Sequence, residues 1–132
     1  MAACTEFTCS HCGFKVEAWD DGNRYLTDSD GKRHFFYHPG DYEQTREFYQ
    51  QQTGCAEVRE EDYLAFWRER GGNESDLICM HCGRQTRRDP KRDLMRCTGC
   101  GKRKLKDTNR LDGQTCPKCA KGTFAGEPTG IS

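Results

Sequence analysis

The chain is short of the residues that build a protein interior: 33% are apolar, 32% are charged, and the mean hydropathy is -1.03. Burial of so little apolar surface falls short of a chain-ordering cost of about 1 to 2 kcal/mol per residue, so something else must contribute folding free energy. No run approaches the roughly 20 apolar residues of a membrane-spanning helix, so no membrane partner is expected. The opening residues Met1-Ala2-Ala3-Cys4-Thr5-Glu6 have no basic start and no apolar stretch. No secretory leader is read there, and a cytoplasmic protein is expected. Also missing are a phosphate-cradling glycine loop, a nucleophile elbow, and a His-x-Glu joined to Pro-Cys-x-x-Cys of the deaminase type. The expectation is a protein that is not an enzyme and has no small-molecule substrate.

What is abundant is cysteine, with 10 in 132 residues, a length that suits one ordinary domain or two very small ones. A reducing compartment favours metal over disulfides for such a set. Eight of the ten fall into Cys-x-x-Cys pairs: Cys9 and Cys12, Cys79 and Cys82, Cys97 and Cys100, Cys116 and Cys119. Each pair sets two thiolates on one tight turn, half of a tetrahedral site, with backbone amides able to donate to sulfur. Gly13, Gly83 and Gly101 follow three of the pairs, where the chain must leave the turn in a conformation costly for other residues. Eight thiolates suit two Zn2+ ions in two Cys4 sites.

Loop-closure cost favours joining Cys79, Cys82, Cys97 and Cys100, which leaves Cys9, Cys12, Cys116 and Cys119 for the second site. A competing scheme uses His34 and His38, whose spacing matches half of a Cys2His2 site, with Cys9 and Cys12. It strands one cysteine pair. His34 and His38 otherwise read as structural, and His11 and His81 occupy variable positions inside knuckles. Cys4 reads as a disordered thiol and Cys55 as a residue between helices, although either could substitute as a ligand. Iron in a rubredoxin-like Cys4 site is a further alternative that spacing leaves open.

The expected fold is small, metal-stabilised and α+β. Alternating Phe14, Val16 and Ala18 predict a strand leaving the first knuckle, and Arg24 to Thr27 with Lys32 to His38 predict a hairpin turning at Asp28-Ser29-Asp30-Gly31. A helix is predicted from a cap at Asp41 to Thr53-Gly54, and a second from about Glu57 to Arg70, stopped by Gly71-Gly72. Residues 1–76 then hold the first knuckle, the hairpin and a helical-hairpin insert, with 71–76 as connector. Residues 77–124 hold the other knuckles, with 14 and 15 residues between successive pairs, room for short hairpins between them. Residues 125–132 read as a flexible tail.

Between Cys79 and Cys119, about a third of the chain, the repeated Cys-x-x-Cys knuckles, two of them followed by glycine, resemble the zinc-ribbon superfamily. The resemblance implies zinc and β-hairpins, and ribbons serve DNA, RNA and protein binding alike. The segment from Trp19 through Trp67 matches no ribbon pattern.

Charge is divided along the chain. Residues 1–78 carry 8 Lys and Arg against 16 Asp and Glu, and residues 79–132 carry 13 against 5, a split of -8 and +8 within a net charge of zero. Arg84, Arg87, Arg88, Lys91, Arg92, Arg96, Lys102, Arg103, Lys104, Lys106 and Arg110 make nucleic acid one expected partner. Interleaved Asp89, Asp93 and Asp107 weigh against it. The alternative is a protein adaptor or inhibitor acting through Tyr42, Phe48, Tyr49, Tyr63, Phe66 and Trp67 in the acidic insert, although a chain so poor in aliphatic residues needs such rings for its own core.

Overall fold

The alternation around Val16 becomes strand β2 (Lys15–Trp19), with Val16 and Ala18 buried and Lys15 and Glu17 turned outward. In the computed structural model, which describes residues 2–131, β2 runs antiparallel to β1 (Ala3–Cys9), setting Phe7 opposite Val16. The other edge of β1 is filled by β8 (Phe124–Ile131), with Cys9 opposite Phe124. The expected flexible tail is therefore a paired strand through Ile131. Its Gly, Thr and Pro content hides this, but each residue has a reason to fit. Pro128, which has no amide to donate, lies beside the register shift between Cys4 and Thr5, and Phe7 occupies the place a Cβ on Gly126 would take. Cys4, expected to be disordered, is buried on β1 opposite Trp19 and Gly130.

Strand β3 (Asn23–Thr27) pairs with β4 (Arg33–Phe35), setting Tyr25 opposite Phe35 and Leu26 opposite His34. The hairpin is the expected one with a shorter second strand. Helix α1 (Asp41–Thr53) follows, with Gly40 as its N-cap in place of Asp41, whose carboxylate meets His38 Nδ1 at 2.8 Å. Gly54 ends it at φ 74°, its amide donating to the Gln50 carbonyl. Helix α2 (Glu60–Arg70) has Glu60, Glu61 and Asp62 in its first turn and Arg68 and Arg70 in its last, charges placed to complement the helix dipole.

The segment 71–76, expected to be a connector, belongs to β5 (Gly71–Cys79). Its first half pairs with β3, and its second half with β6 (Gln85–Arg88) and β7 (Leu105–Asp107). A glycine pair reads as a helix stop, yet Gly71 also serves the strand, because the Trp67 ring stands where its Cβ would project.

The chain divides into two units, one of residues up to Gly22 together with those from Ser75 onward, the other Asn23–Glu74. The linear division at 76 and 124 does not follow this grouping, since the first knuckle joins the other three. The first unit has a core of Phe7, Cys9, Val16, Ala18, Ile78, Leu111, Cys116 and Phe124. The second is packed by rings: Phe48, Tyr49, Tyr63 and Phe66 close over Leu26, and Tyr49 meets Phe66 edge-on at 5.1 Å. Within it the Tyr63 hydroxyl donates to Thr45 Oγ1 at 2.8 Å, and Thr45 donates to the Asp41 carbonyl at 2.8 Å. Neither helix is long and apolar enough to cross a membrane.

Removing the Tyr63 hydroxyl as Tyr63→Phe is expected to cost about 1 kcal/mol. Emptying a ring's volume as Tyr49→Ala is expected to cost about 3 to 5 kcal/mol. Denaturant unfolding followed by the helical circular-dichroism signal checks both, with bound metal unchanged.

Candidate metal centres

A tight turn ends β1, where the Cys9 amide donates to the Phe14 carbonyl at 2.9 Å and the Gly13 amide returns to the Cys9 carbonyl at 3.2 Å. Cys79 with Arg84 and Gly83, and Cys97 with Lys102 and Gly101, repeat the same two bonds at 2.8 to 3.0 Å. Cys116 varies the pattern, donating to the Gly122 carbonyl and accepting from the Ala120 amide, each at 2.9 Å. The residue four after the first cysteine must turn left-handed in each. It is Gly13, Gly83 and Gly101 at φ 75°, 80° and 74°, and Ala120 at φ 59°. That reversal folds β1 onto β2 and β5 onto β6, so these hairpins form at the knuckles. The intervals 83–96 and 101–115, where short hairpins between knuckles were expected, hold one strand each, β6 and β7, and both pair with β5 instead of forming hairpins of their own.

Four turns bring eight sulfurs into two groups, Cys9, Cys12, Cys116 and Cys119, and Cys79, Cys82, Cys97 and Cys100, each group's atoms within 4.8 Å of one another. Cys9 to Cys119 is 3.6 Å, Cys12 to Cys116 is 3.8 Å, Cys79 to Cys100 is 3.7 Å, and Cys82 to Cys97 is 3.5 Å. A disulfide needs about 2.05 Å. Tetrahedral thiolates on metal bonds of about 2.3 Å stand about 3.8 Å apart, so the donor sets fit two metal ions. Four-cysteine sets of this kind are typical of zinc. Of the two schemes open in the sequence, the geometry has the one that joins the outer pairs.

The electrostatics of each group call for a cation. Amides of Cys100 and Gly99 lower the Cys97 thiol to about 6, and amides of Lys121 and Gly122 lower Cys119 to about 6. Cys9 is lowered by the amides of Cys12 and His11. Cys12 goes the other way, to about 11, because the helpful Phe14 amide is outweighed by burial and the Cys9, Cys119 and Cys116 sulfurs. Cys82 also rises to about 11, the Arg84 amide being outweighed by the Cys97 sulfur and burial. Crowded sulfurs lose a first proton easily and resist losing more. A divalent ion would neutralise the thiolates and let all four ionise.

His34 and His38 are engaged elsewhere. His34 Nε2 meets Asp28 Oδ2 at 2.7 Å and holds that carboxyl below its usual range, while His38 meets Asp41. His11 and His81 are exposed, and Cys55 lies exposed between α1 and α2. Among residues the sequence did not flag, Gly122 is the most consequential. A Cβ there would stand 2.5 Å from Cys9 Sγ and 2.6 Å from the His11 amide nitrogen. Its backbone is not left-handed, so only the close approach excludes a side chain. No spacing rule announces that. Lys118, from the fourth knuckle, lies across Gly83 of the second, where a Cβ would fall 2.8 Å from its Cε.

Gly122→Ala is expected to reduce bound metal from two equivalents to about one, read by native mass spectrometry, while Gly130→Ala, which meets open space, keeps both. Because Cys12 and Cys82 hold their protons until metal displaces them, binding releases protons and apparent affinity rises with pH. Retention against a fixed chelator should weaken as pH falls from 8 toward 6, and further below 6 as Cys97 and Cys119 regain protons. A pH-independent competition curve contradicts this. No family model, no curated protein and no solved structure matches the chain, so the two four-sulfur groups are the ground on which a functional reading stands.

Proposed function

We propose that the protein is a zinc-binding recognition protein of the zinc-ribbon kind, not an enzyme, which takes two Zn2+ ions and binds nucleic acid as a regulatory or accessory factor. Hairpins that turn at Cys-x-x-Cys knuckles support the ribbon reading. Four thiolates per ion leave no open coordination position, which supports a structural use of the metal over a hydrolytic one.

The observation that carries the nucleic-acid reading is how opposite charges are used around the second centre. Asp89, Asp93 and Asp107 weigh against it as sequence, but each is committed to the backbone. Asp89 accepts from the Lys91 amide at 3.0 Å, Asp93 from the Asp89 amide at 2.7 Å, and Asp107 from the Asn109 amide at 2.9 Å. The cations point outward: Arg84, Lys91, Arg96, Lys102, Arg103 and Lys104 are all exposed. Their unit carries 14 Lys and Arg against 10 Asp and Glu, a balance of +4. Lys102, Arg103 and Lys104 follow Cys100 after the single residue Gly101, so metal binding would hold them on a fixed turn facing solvent.

The alternative, a protein adaptor or inhibitor, draws on the insert, which carries 7 Lys and Arg against 11 Asp and Glu and leaves Tyr42 and Leu64 exposed. Recovery of a stoichiometric protein that survives nuclease treatment favours it.

Fluorescence anisotropy with duplex DNA and single-stranded RNA across a salt series tests the main reading. Affinity should fall linearly with log salt, with a slope of about -0.9 per neutralised phosphate on duplex. Reversing Lys102, Arg103 and Lys104 to Glu should reduce that slope by about 3 and weaken binding about tenfold or more, with both metals retained. Binding that ignores salt, or a triple variant that binds normally, ends the reading.

A further inference from the structure

The insert contains a cavity of about 420 Å3, a size usual for small-ligand sites, on the side of α1 and α2 where Arg24, Tyr42, Arg46, Tyr63 and Trp67 meet. Its unit is acidic on balance, yet the charged side chains of this wall are two guanidinium groups against the single carboxylate of Asp41, which is already paired with His38. Arg24 lies over the Trp67 ring at 4.7 Å. Arg46 is stacked on two rings, 4.2 Å from Tyr42 and 4.5 Å from Tyr63.

Arg46 is the unusual residue. Its side chain is 20% exposed, and the carboxylate nearest to it, Glu60, is 64% exposed and reached over a long 3.4 Å bond, a pairing worth little. Its Nε is buried and meets no acceptor among the described residues. A strut between two tyrosines would be built more cheaply from a methionine or leucine, which leaves no donor unmade and no charge half-compensated. With its Nε buried, the Arg46 guanidinium meets the cavity through its Nη edge, and a guanidinium edge is suited to an oxyanion, which it can hold with two bonds.

We infer that this cavity binds a nucleotide, the ring stacking on the Trp67 and Tyr42 wall and the phosphate meeting Arg46 and Arg24. Two guanidiniums on one wall suit the double charge of a terminal phosphate better than a monocarboxylate. Ring stacking suits a base, and the His38–Asp41 pair gives sugar hydroxyls or a base amino group somewhere to bond. The ligand is bound, not converted: the Thr45 hydroxyl of the wall is committed to the Asp41 and Tyr42 carbonyls. The inference is independent of the reading for the basic knuckles, because none of its residues lies there.

The test is titration of the metal-loaded full-length protein, in a Trp19→Phe background so that Trp67 alone reports, with adenosine monophosphate and with a short oligoadenylate. Saturable quenching by the mononucleotide is expected, with adenosine, inorganic phosphate and phenyl phosphate each about tenfold or more weaker. Arg46→Gln and the exposed Arg24→Gln should each weaken it about tenfold to a hundredfold, and Arg46→Lys should recover part of the loss. Quenching by the oligoadenylate alone, lost in the same two variants, also supports the site and assigns its nucleotide to a strand. No saturable response to either probe overturns the inference. So does a response that Arg24→Gln leaves unchanged, or phenyl phosphate binding as tightly as the mononucleotide. Charge reversal at Lys102, Arg103 and Lys104 should leave this titration unaltered, so failure of one proposal is distinguishable from failure of the other.

Discussion

Four sulfurs brought within 4.8 Å of one another would repel as thiolates and are set to share one cation, and the first unit is arranged around that grouping twice. The cost of assembling each group is modest beside what a metal returns. Closing the 15-residue separation of Cys82 and Cys97 costs about 2 kcal/mol in the length-dependent part, and the 110-residue separation of Cys9 and Cys119 about 4. A structural zinc ion contributes on the order of 10 to 16 kcal/mol at neutral pH. The long closure is therefore affordable, and it gathers both ends of the chain into one sheet.

The sulfurs are also packing residues. Cys9 and Cys116 belong to the same buried cluster as Phe7, Val16, Ala18, Ile78 and Phe124, with Cys119 and Met80 against it. Ile78 and Met80 flank Cys79, so residues on either side of one centre's ligand pack beside the other centre's cysteines. Loss of metal from one group would loosen the wall on which the other is set. The insert is built differently: its interior is an array of aromatic rings with edge-on contacts, which supplies burial without metal. A chain with few aliphatic side chains thus solves its core twice, by thiolates in one unit and by rings in the other.

That division explains what could be read in advance. The eight cysteines of the two groups were legible because such a site leaves a local mark, two cysteines three apart, three times with glycine behind, and the helices were legible from the glycines that end them and, in α2, from the charges at its ends. Their pairing was only ranked, since loop closure changes slowly with length and separates the schemes by little. The strand formed by residues 124–131 was not legible, because what makes it a strand is the open edge of β1, more than 100 positions away. The same is true of the first half of β5, where Gly71-Gly72 signals a stop and the fold uses it for close passage. Gly122 and Ala120 escaped for a related reason: the first is required by an approach from Cys9 in another segment, and the second occupies a left-handed position where glycine would have been the signal.

Charge patterning shows the same difference between a sequence and its fold. By linear position the halves differ by 16 charges, but regrouped by unit the balances are +4 and -4, because the acidic first knuckle segment and Asp76 belong with the basic knuckles. What distinguishes a surface is then the use of each charge, not the total. In the first unit Asp89, Asp93 and Asp107 accept from backbone amides and Asp76 pairs with Arg87 at 2.9 Å, while Arg84, Arg96 and Lys102 to Lys104 are exposed. In the insert the relation is inverted: Glu60, Glu61 and Asp62 are exposed on the first turn of α2, and the arginines, Arg33 on Tyr25 and Glu74, Arg46 on Tyr42 and Tyr63, lie against rings. Stacked guanidiniums lose some hydration but keep their full charge, and with it the capacity to hold an anion that a lysine in free solution would hold only weakly.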